Sequence, residues 1–124
     1  MVPRLIIADD NPLLRDALKN ALAGSNMEII GEAGDGIETM EKVEELEPDI
    51  LLLDMNMPEL DGLTVLERLK TIRPNLKIIV FSIYDHYTEA VLEAGADGYF
   101  AKESDTDLLI AGIERVFRGE SFSG

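Results

Sequence analysis

The chain has 124 residues, enough for one domain with a closed hydrophobic core, and its 25 acidic against 11 basic residues leave a formal net charge of −14. A chain this acidic repels phosphate backbones, so it is a poor candidate for gripping nucleic acid by itself. The absence of cysteine excludes disulfides, thiolate metal sites and thiol catalysis, and no apolar run approaches the ~18 residues that would span a membrane.

Arg4 leads directly into Leu5-Ile6-Ile7-Ala8, a run too short for a signal peptide, and a cytoplasmic protein is expected. The run reads as a first strand that ends in Asp9-Asp10. Asn11 then stands as a helix N-cap, with Pro12 at the first helical position. Leu14, Ala17, Leu18 and Ala21 recur at helical spacing until Gly24. Met27 to Ala33 reads as a second strand, followed by Gly34-Asp35-Gly36. A second helix carries Ile37, Met40, Val43 and Leu46 or Glu47 inward, has an acidic outer face, and is closed by Pro48.

The third strand is the centre of the pattern. Ile50-Leu51-Leu52-Leu53 is a continuous apolar run, as in a parallel strand buried on both faces, and it ends abruptly in Asp54. Pro58 excludes continuation of the strand, and Asp61 is placed to cap a third helix that turns Leu63, Leu66, Leu69 and Ile72 inward and ends before Pro74. Ile78-Ile79-Val80-Phe81 is a fourth buried strand, ending in Ser82. Asp85 is placed to cap a short helix through Val91 and Leu92 to Gly95, where glycine supplies a left-handed turn. Gly98-Tyr99-Phe100-Ala101 forms a brief fifth strand before Lys102. Ser104 or Asp105 then caps a last helix with Leu109, Ile113 and Val116 on one face. Strands alternating with helices predict an α/β fold, a doubly wound parallel sheet with helices on both faces. Right-handed crossovers bring the carboxyl ends of all five strands to one edge, where open sheets of this kind bind ligands.

The residues that end the strands are Asp9, Asp10, Asp54, Ser82 and Lys102. Each alone has an ordinary explanation, since polar residues commonly end strands; the joint pattern points to a site. Three carboxylates brought together repel one another, and a hard divalent cation relieves that repulsion. Oxygen-only ligands with no nearby histidine favour Mg²⁺ over zinc, and Mg²⁺ commonly brings phosphate oxygens with it. The lysine ammonium and serine hydroxyl suit a phosphate, which makes Asp54 a candidate nucleophile through an aspartyl-phosphate. Met55 and Met57 read as loop packing, and the single histidine, His86, as a surface or helix-start residue.

With Leu53-Asp54-Met55-Asn56-Met57-Pro58-Glu59-Leu60-Asp61-Gly62, this combination of Asp9-Asp10, Ser82 and Lys102 resembles the receiver domain of two-component response regulators over essentially the whole chain. The resemblance implies the strand order 2-1-3-4-5 of the flavodoxin/CheY-like sheet. It implies that Asp54 accepts a phosphoryl group from a sensor histidine kinase, and that the protein catalyses only its own phosphorylation and dephosphorylation. Asp10, Asp54 and the backbone carbonyl of Asn56 would hold Mg²⁺, with Asp9 acting through water; Ser82 and Lys102 would contact the phosphoryl group. Tyr99 matches the family's aromatic switch position.

Glu93-Ala94-Gly95-Ala96-Asp97-Gly98-Tyr99 and Gly112-Ile113-Glu114-Arg115-Val116-Phe117-Arg118-Gly119-Glu120 resemble the LuxR/NarL/FixJ-type transcriptional regulators, which also fits Glu103 standing where other receivers have proline. Residues 1–124 are accordingly expected to form one receiver domain, with homodimerisation on phosphorylation, no membrane contact, and DNA binding only through a C-terminal domain absent from this chain. One departure stands out: Ser82 to Gly95 is about two residues shorter than the family pattern, so a short or displaced fourth helix is expected. The competing reading is an aspartate-nucleophile phosphatase of the haloacid-dehalogenase kind, which wants a second aspartate at the position of Asn56 and a cap insertion. A flavin-binding module is a more distant one, since no Ser/Thr-rich phosphate loop follows the first strand.

Overall fold

The computed structural model describes residues 2–55, 57, 61–82, 88–101, 106–120 and 122–123. Strands β1 (Arg4–Ala8), β2 (Glu28–Ala33), β3 (Ile50–Asp54), β4 (Lys77–Ser82), β5 (Gly98–Ala101) and β6 (Phe122–Ser123) alternate with helices α1 (Pro12–Leu22), α2 (Gly36–Leu46), α3 (Gly62–Ile72), α4 (Thr88–Glu93) and α5 (Thr106–Phe117). All strand pairs are parallel, in the order β2-β1-β3-β4-β5-β6. The five expected strands thus stand in the expected order 2-1-3-4-5.

Side chains alternate across the strands, and here both alternating sets are buried. Ile6, Leu51, Leu53 and Val80 point into one core with Val43 of α2, Leu66 of α3 and Val91 of α4. Leu5, Ile7, Leu52 and Phe81 point into the other, with Leu22 of α1 and Ile113 and Val116 of α5. This two-sided burial is why β3 has no polar residue before Asp54. Each such aliphatic side chain contributes roughly 1.5–3 kcal/mol by leaving water.

Helix starts follow the capping residues. Asn11 Oδ1 accepts the Leu13 N–H at 3.0 Å with Pro12 at the first helical position, and Asp61 Oδ1 accepts the Thr64 N–H at 2.9 Å. Asp35 accepts from Glu38 N–H at 2.7 Å, and the Glu38 carboxylate reaches back to the Gly34 N–H at 2.7 Å. Gly95 has φ +105°, and the N–H groups of Gly95 and Ala96 close α4 onto the Leu92 and Val91 carbonyls. The described part of α4 is six residues, Thr88–Glu93, and it begins directly after residues that lie outside the described ones, so the expected length of this helix falls there. The caps expected at Asp85 and at Ser104 or Asp105 lie outside the described residues, as does His86.

Three expectations are corrected. Ile37 is 51% exposed, while Thr39 is fully buried with its hydroxyl donating to the Asp35 carbonyl at 2.7 Å. At about 100° per residue, Ile37 points roughly 120° away from the buried Val43, so the inward stripe begins one residue earlier, at Gly36. Ile72 is 65% exposed. It is the last residue of α3, and it borders a cleft with Pro74, Lys77 and Phe117 at the amino-terminal edge of the sheet instead of entering the core. Finally, the sheet has a sixth strand. Gly119, at φ +91°, and Glu120 close α5 by donating to the Val116 and Arg115 carbonyls at 2.9 and 3.0 Å. This glycine-centred turn is reinforced by ion pairs from Glu120 to Arg115 and Arg118, at 3.4 and 3.3 Å. The chain returns to the edge of β5, where Phe122 and Ser123 are in register with Gly98 and Tyr99.

Candidate functional site

Neighbouring strands leave the sheet at matching levels. Ala8 is in register with Leu53, Asp54 with Phe81, and Ser82 with Ala101. The residues following Ala8 and Leu53 are Asp9 and Asp54, so strand pairing alone brings their carboxylates to one edge. Asp9, Asp10 and Asp54 each offer a carboxylate oxygen, all within 4.8 Å of one another. Asp9 and Asp54 are buried and Asp10 is exposed. Two unit charges at that separation repel by about 3 kcal/mol at an effective dielectric of about 20. The arrangement is therefore costly unless a cation shares it. The donors are oxygen only, two of them buried and the third open to solvent, which is the set a hard divalent ion accepts.

The backbone around these carboxylates is fixed on several sides. The Asp9 N–H donates to the Ala33 carbonyl at 3.0 Å, and Asp9 Oδ1 accepts the Asn11 N–H at 2.8 Å. Arg15 of α1 donates from Nη1 to the Asp9 carbonyl. Below Asp54, the Gly62 N–H donates to the Met55 carbonyl at 3.1 Å. A Cβ at Gly62 would lie 2.5 Å from the Asp54 carbonyl oxygen and 2.6 Å from the Met55 Cα, so only glycine fits without moving the strand end. Met55 and Met57 are buried in the core beneath, as the sequence implied.

Arg15 is held in turn by Glu32 of β2, Nε to Oε1 at 3.1 Å, and Lys19 reaches the other Glu32 oxygen at 2.9 Å. The Lys19 ammonium, and then the Arg15 guanidinium, hold the Glu32 carboxyl below its ordinary value against the opposing effect of partial burial. Glu32 and Asp16 together hold the Lys19 ammonium above its own. Neither Arg15 nor Glu32 was singled out by the sequence. Arg15 flanks the apolar stripe of α1, and only the fold shows that its guanidinium turns to the end of β1.

Of the other expected site residues, Tyr99 is 4% exposed and shares the buried cluster of Val80, Met57 and Val91, on the α4 face of the sheet. Ser82 ends β4, next to Ala101 of β5; its side chain lies outside what the structure describes, as do Asn56 and Lys102.

The response regulator receiver domain family matches residues 5–114. The chain belongs to this family. Among curated relatives, it is 36% identical over 122 residues to the transcriptional regulatory protein DegU of Brevibacillus brevis, covering 96% of this chain and 52% of that one. It is 34% identical over 119 residues to the nitrate/nitrite response regulator protein NarL of Escherichia coli strain K12, covering 94% and 55%. It thus spans about half the length of these relatives. A LuxR-family two-component response regulator from Aurantimonas sp. SI85-9A1 superposes with a TM-score of 0.93 at 25% identity, covering 98% of this chain and 89% of that one. The receiver domain of a NarL-type regulator from Mycobacterium tuberculosis gives 0.90 at 27% identity, covering 96% and 98%. This is a receiver domain of the LuxR/NarL type, a signalling protein, and the phosphatase reading is set aside. Among the described residues, no helix is long and apolar enough to cross a membrane.

Proposed function

We propose that Asp54 is the phosphoacceptor of a two-component pathway and that its modification regulates an output, transcription. The observation that carries this reading is the convergence of Asp9, Asp10 and Asp54 at the carboxyl edge of the sheet, with Asp54 at the end of its most buried strand. An oxygen of the Asp54 carboxylate bonds to phosphorus as the P–N bond of a kinase phosphohistidine breaks, and the departing imidazole keeps the electron pair and takes up a proton. Asp10, Asp54 and the Asn56 carbonyl would hold Mg²⁺, with Asp9 through water; bound there, the ion offsets the charge of the phosphoryl oxygens. Lys102 and Ser82 contact the transferred group and follow its added charge, and Tyr99 reports that movement to the α4 face. The reaction modifies the protein itself, so phosphorylation and its reversal are the only chemistry assigned to it.

The partners in this reading are a sensor histidine kinase, a second copy of the chain after phosphorylation, and DNA only through a separate C-terminal domain in a regulator of the length of its relatives. One related protein, RcsB, is known as dimers bound to DNA. A cytoplasmic location fits this set of partners. The test is mass spectrometry after incubation with acetyl phosphate and Mg²⁺. The parent chain gains one phosphoryl group and Asp54→Asn gains none; equal uptake by both proteins overturns the assignment.

A further inference from the structure

We infer that Arg15 is a positioning residue for the acidic cluster, acting on the peptide unit that joins Asp9 to Asp10. The carbonyl that accepts from Arg15 Nη1 belongs to Asp9, and the nitrogen of that same peptide belongs to Asp10. A peptide is a rigid plane. Rotating this one would swing the Cα–Cβ bonds of both aspartates relative to Asp54. On its amino side Asp9 is already fixed to β2, through its N–H and the Ala33 carbonyl at 3.0 Å. Arg15 supplies the hold on the carbonyl side, where the chain has left the sheet and Asp10 itself is exposed.

The guanidinium suits this task because its planar fork binds two groups at once. One arm takes the Asp9 carbonyl while Nε takes Glu32 Oε1 at 3.1 Å. Its side chain is only 20% exposed and its backbone N–H begins α1 by donating to the Asn11 carbonyl at 3.1 Å, so it acts from a rigid element. Glu32 also settles the sign of the effect. A bare cation behind the cluster would weaken binding of a divalent ion, whereas a cation paired with a carboxylate presents little net charge. What remains is orientation, and loss of such outer partners typically weakens a metal site by 10–100-fold.

This inference rests on the reading of the cluster as a Mg²⁺ and phosphoryl site, and the experiment separates the two. Lys19 is the control: it sits on the same helix and pairs with the same Glu32 at 2.9 Å, but its ammonium turns to Glu32 and Asp16, whereas Arg15 Nη1 donates to the Asp9 carbonyl. Mg²⁺ is titrated into the parent, Arg15→Met and Lys19→Met by calorimetry, well below each melting temperature. The metal-free amide resonance of Asn11, whose N–H donates to Asp9 Oδ1, is followed in parallel. Arg15→Met is expected to bind Mg²⁺ about tenfold or more weakly and to shift the Asn11 resonance, while Lys19→Met does neither. Arg15→Lys, which retains a donor but not the fork, is expected to fall between, and it decides the matter if Arg15→Met does not fold. Equal weakening by the Arg15 and Lys19 variants, or an Arg15 variant that binds as the parent does, overturns the inference. A parent chain that binds no Mg²⁺ and takes up no phosphoryl group overturns the proposed function together with it.

Discussion

Asp9, Asp10 and Asp54 share one small volume, yet they are not equivalent. Asp9 and Asp54 are buried at the ends of adjacent strands and Asp10 is open to water. An ion that binds the folded cluster and not the unfolded chain stabilises the fold by mass action, by about 2.7 kcal/mol at a hundredfold excess over its dissociation constant. The parent melting temperature should rise with Mg²⁺ accordingly, and Asp10→Ala should remove most of the rise; an undiminished rise in the variant contradicts the ligand assignment. Gly62 offers a second test at the same scale. An Ala there would gain up to about 1 kcal/mol in helix propensity. Against this, its Cβ meets the Asp54 carbonyl and the Met55 Cα at 2.5 and 2.6 Å, and backbone atoms cannot turn aside as a side chain can. Overpacking of this kind costs about 1–3 kcal/mol or more. Gly62→Ala should therefore lower stability in urea denaturation and slow phosphoryl uptake, because the atoms displaced carry the proposed nucleophile. The carboxylates themselves were legible in the sequence, since each simply ends an apolar run. The close approach at Gly62 was not, because a glycine after a capping aspartate also reads as an ordinary first helical residue.

Among the elements, the ion pairs that tie α1 to β2 meet at Glu32, and they give a pH dependence whose sign can be worked out. The Glu32 carboxyl titrates below its ordinary value of 4.5 in the folded chain, held by Lys19 and then Arg15. A depressed carboxyl contributes stability above its unfolded value and loses that contribution as pH falls through the folded one. Lys19, raised above 10.5 by Glu32 and Asp16, contributes below 10.5 and loses its contribution as pH rises through its folded value. The pairs therefore work between about pH 4.5 and 10.5 and fail at both ends. Glu32 is one-third exposed, so the contribution is screened and on the order of 0.2–1 kcal/mol. Glu32→Gln should lower stability near neutral pH by that amount and flatten the loss on acidification below about pH 4.5, measured by urea denaturation across pH. An acid slope identical to the parent's removes Glu32 from this account. The capping residues at Asn11 and Asp61 were legible because their chemistry is local. The exposure of Ile72 was not: periodicity orients a side chain around its helix, but where the sheet stops beneath that helix is a tertiary matter. The two-residue β6 was illegible for a similar reason, being too short for any period and fixed by the turn at Gly119 and Glu120.

Across the whole molecule, apolar side chains left outside the two cores bear on the partner surface. Ile110 and Phe117 lie on one flank of α5, about two turns apart. Both are partly buried against the core shared by α1 and α5, so they form the margin of the inward stripe. The large apolar side chains exposed on those two helices are instead Leu13, at 78%, and Leu108, at 41%. The helices cover the same face of the sheet and leave between them an apolar crevice of about 150 Å³ lined by Leu14, Leu18, Phe100 and Leu109. On the other face, Leu92, at 42%, is the one large apolar side chain exposed among the described residues of α4. A phosphorylation-dependent dimer of this chain is therefore expected to form through α1 and α5. Leu108→Glu tests this better than Ile110→Glu, because a charge at a half-buried core margin would disturb folding and confuse the result. If Leu108 enters the interface, burying it contributes up to about 1.5–3 kcal/mol per copy, so its replacement by a charge should weaken dimerisation at least tenfold. Sedimentation of the beryllofluoride-treated protein reads this directly, with the unchanged melting temperature of the variant as the check on folding. A parent that stays monomeric when activated, or a Leu108→Glu protein that dimerises as strongly as the parent, places the output surface elsewhere.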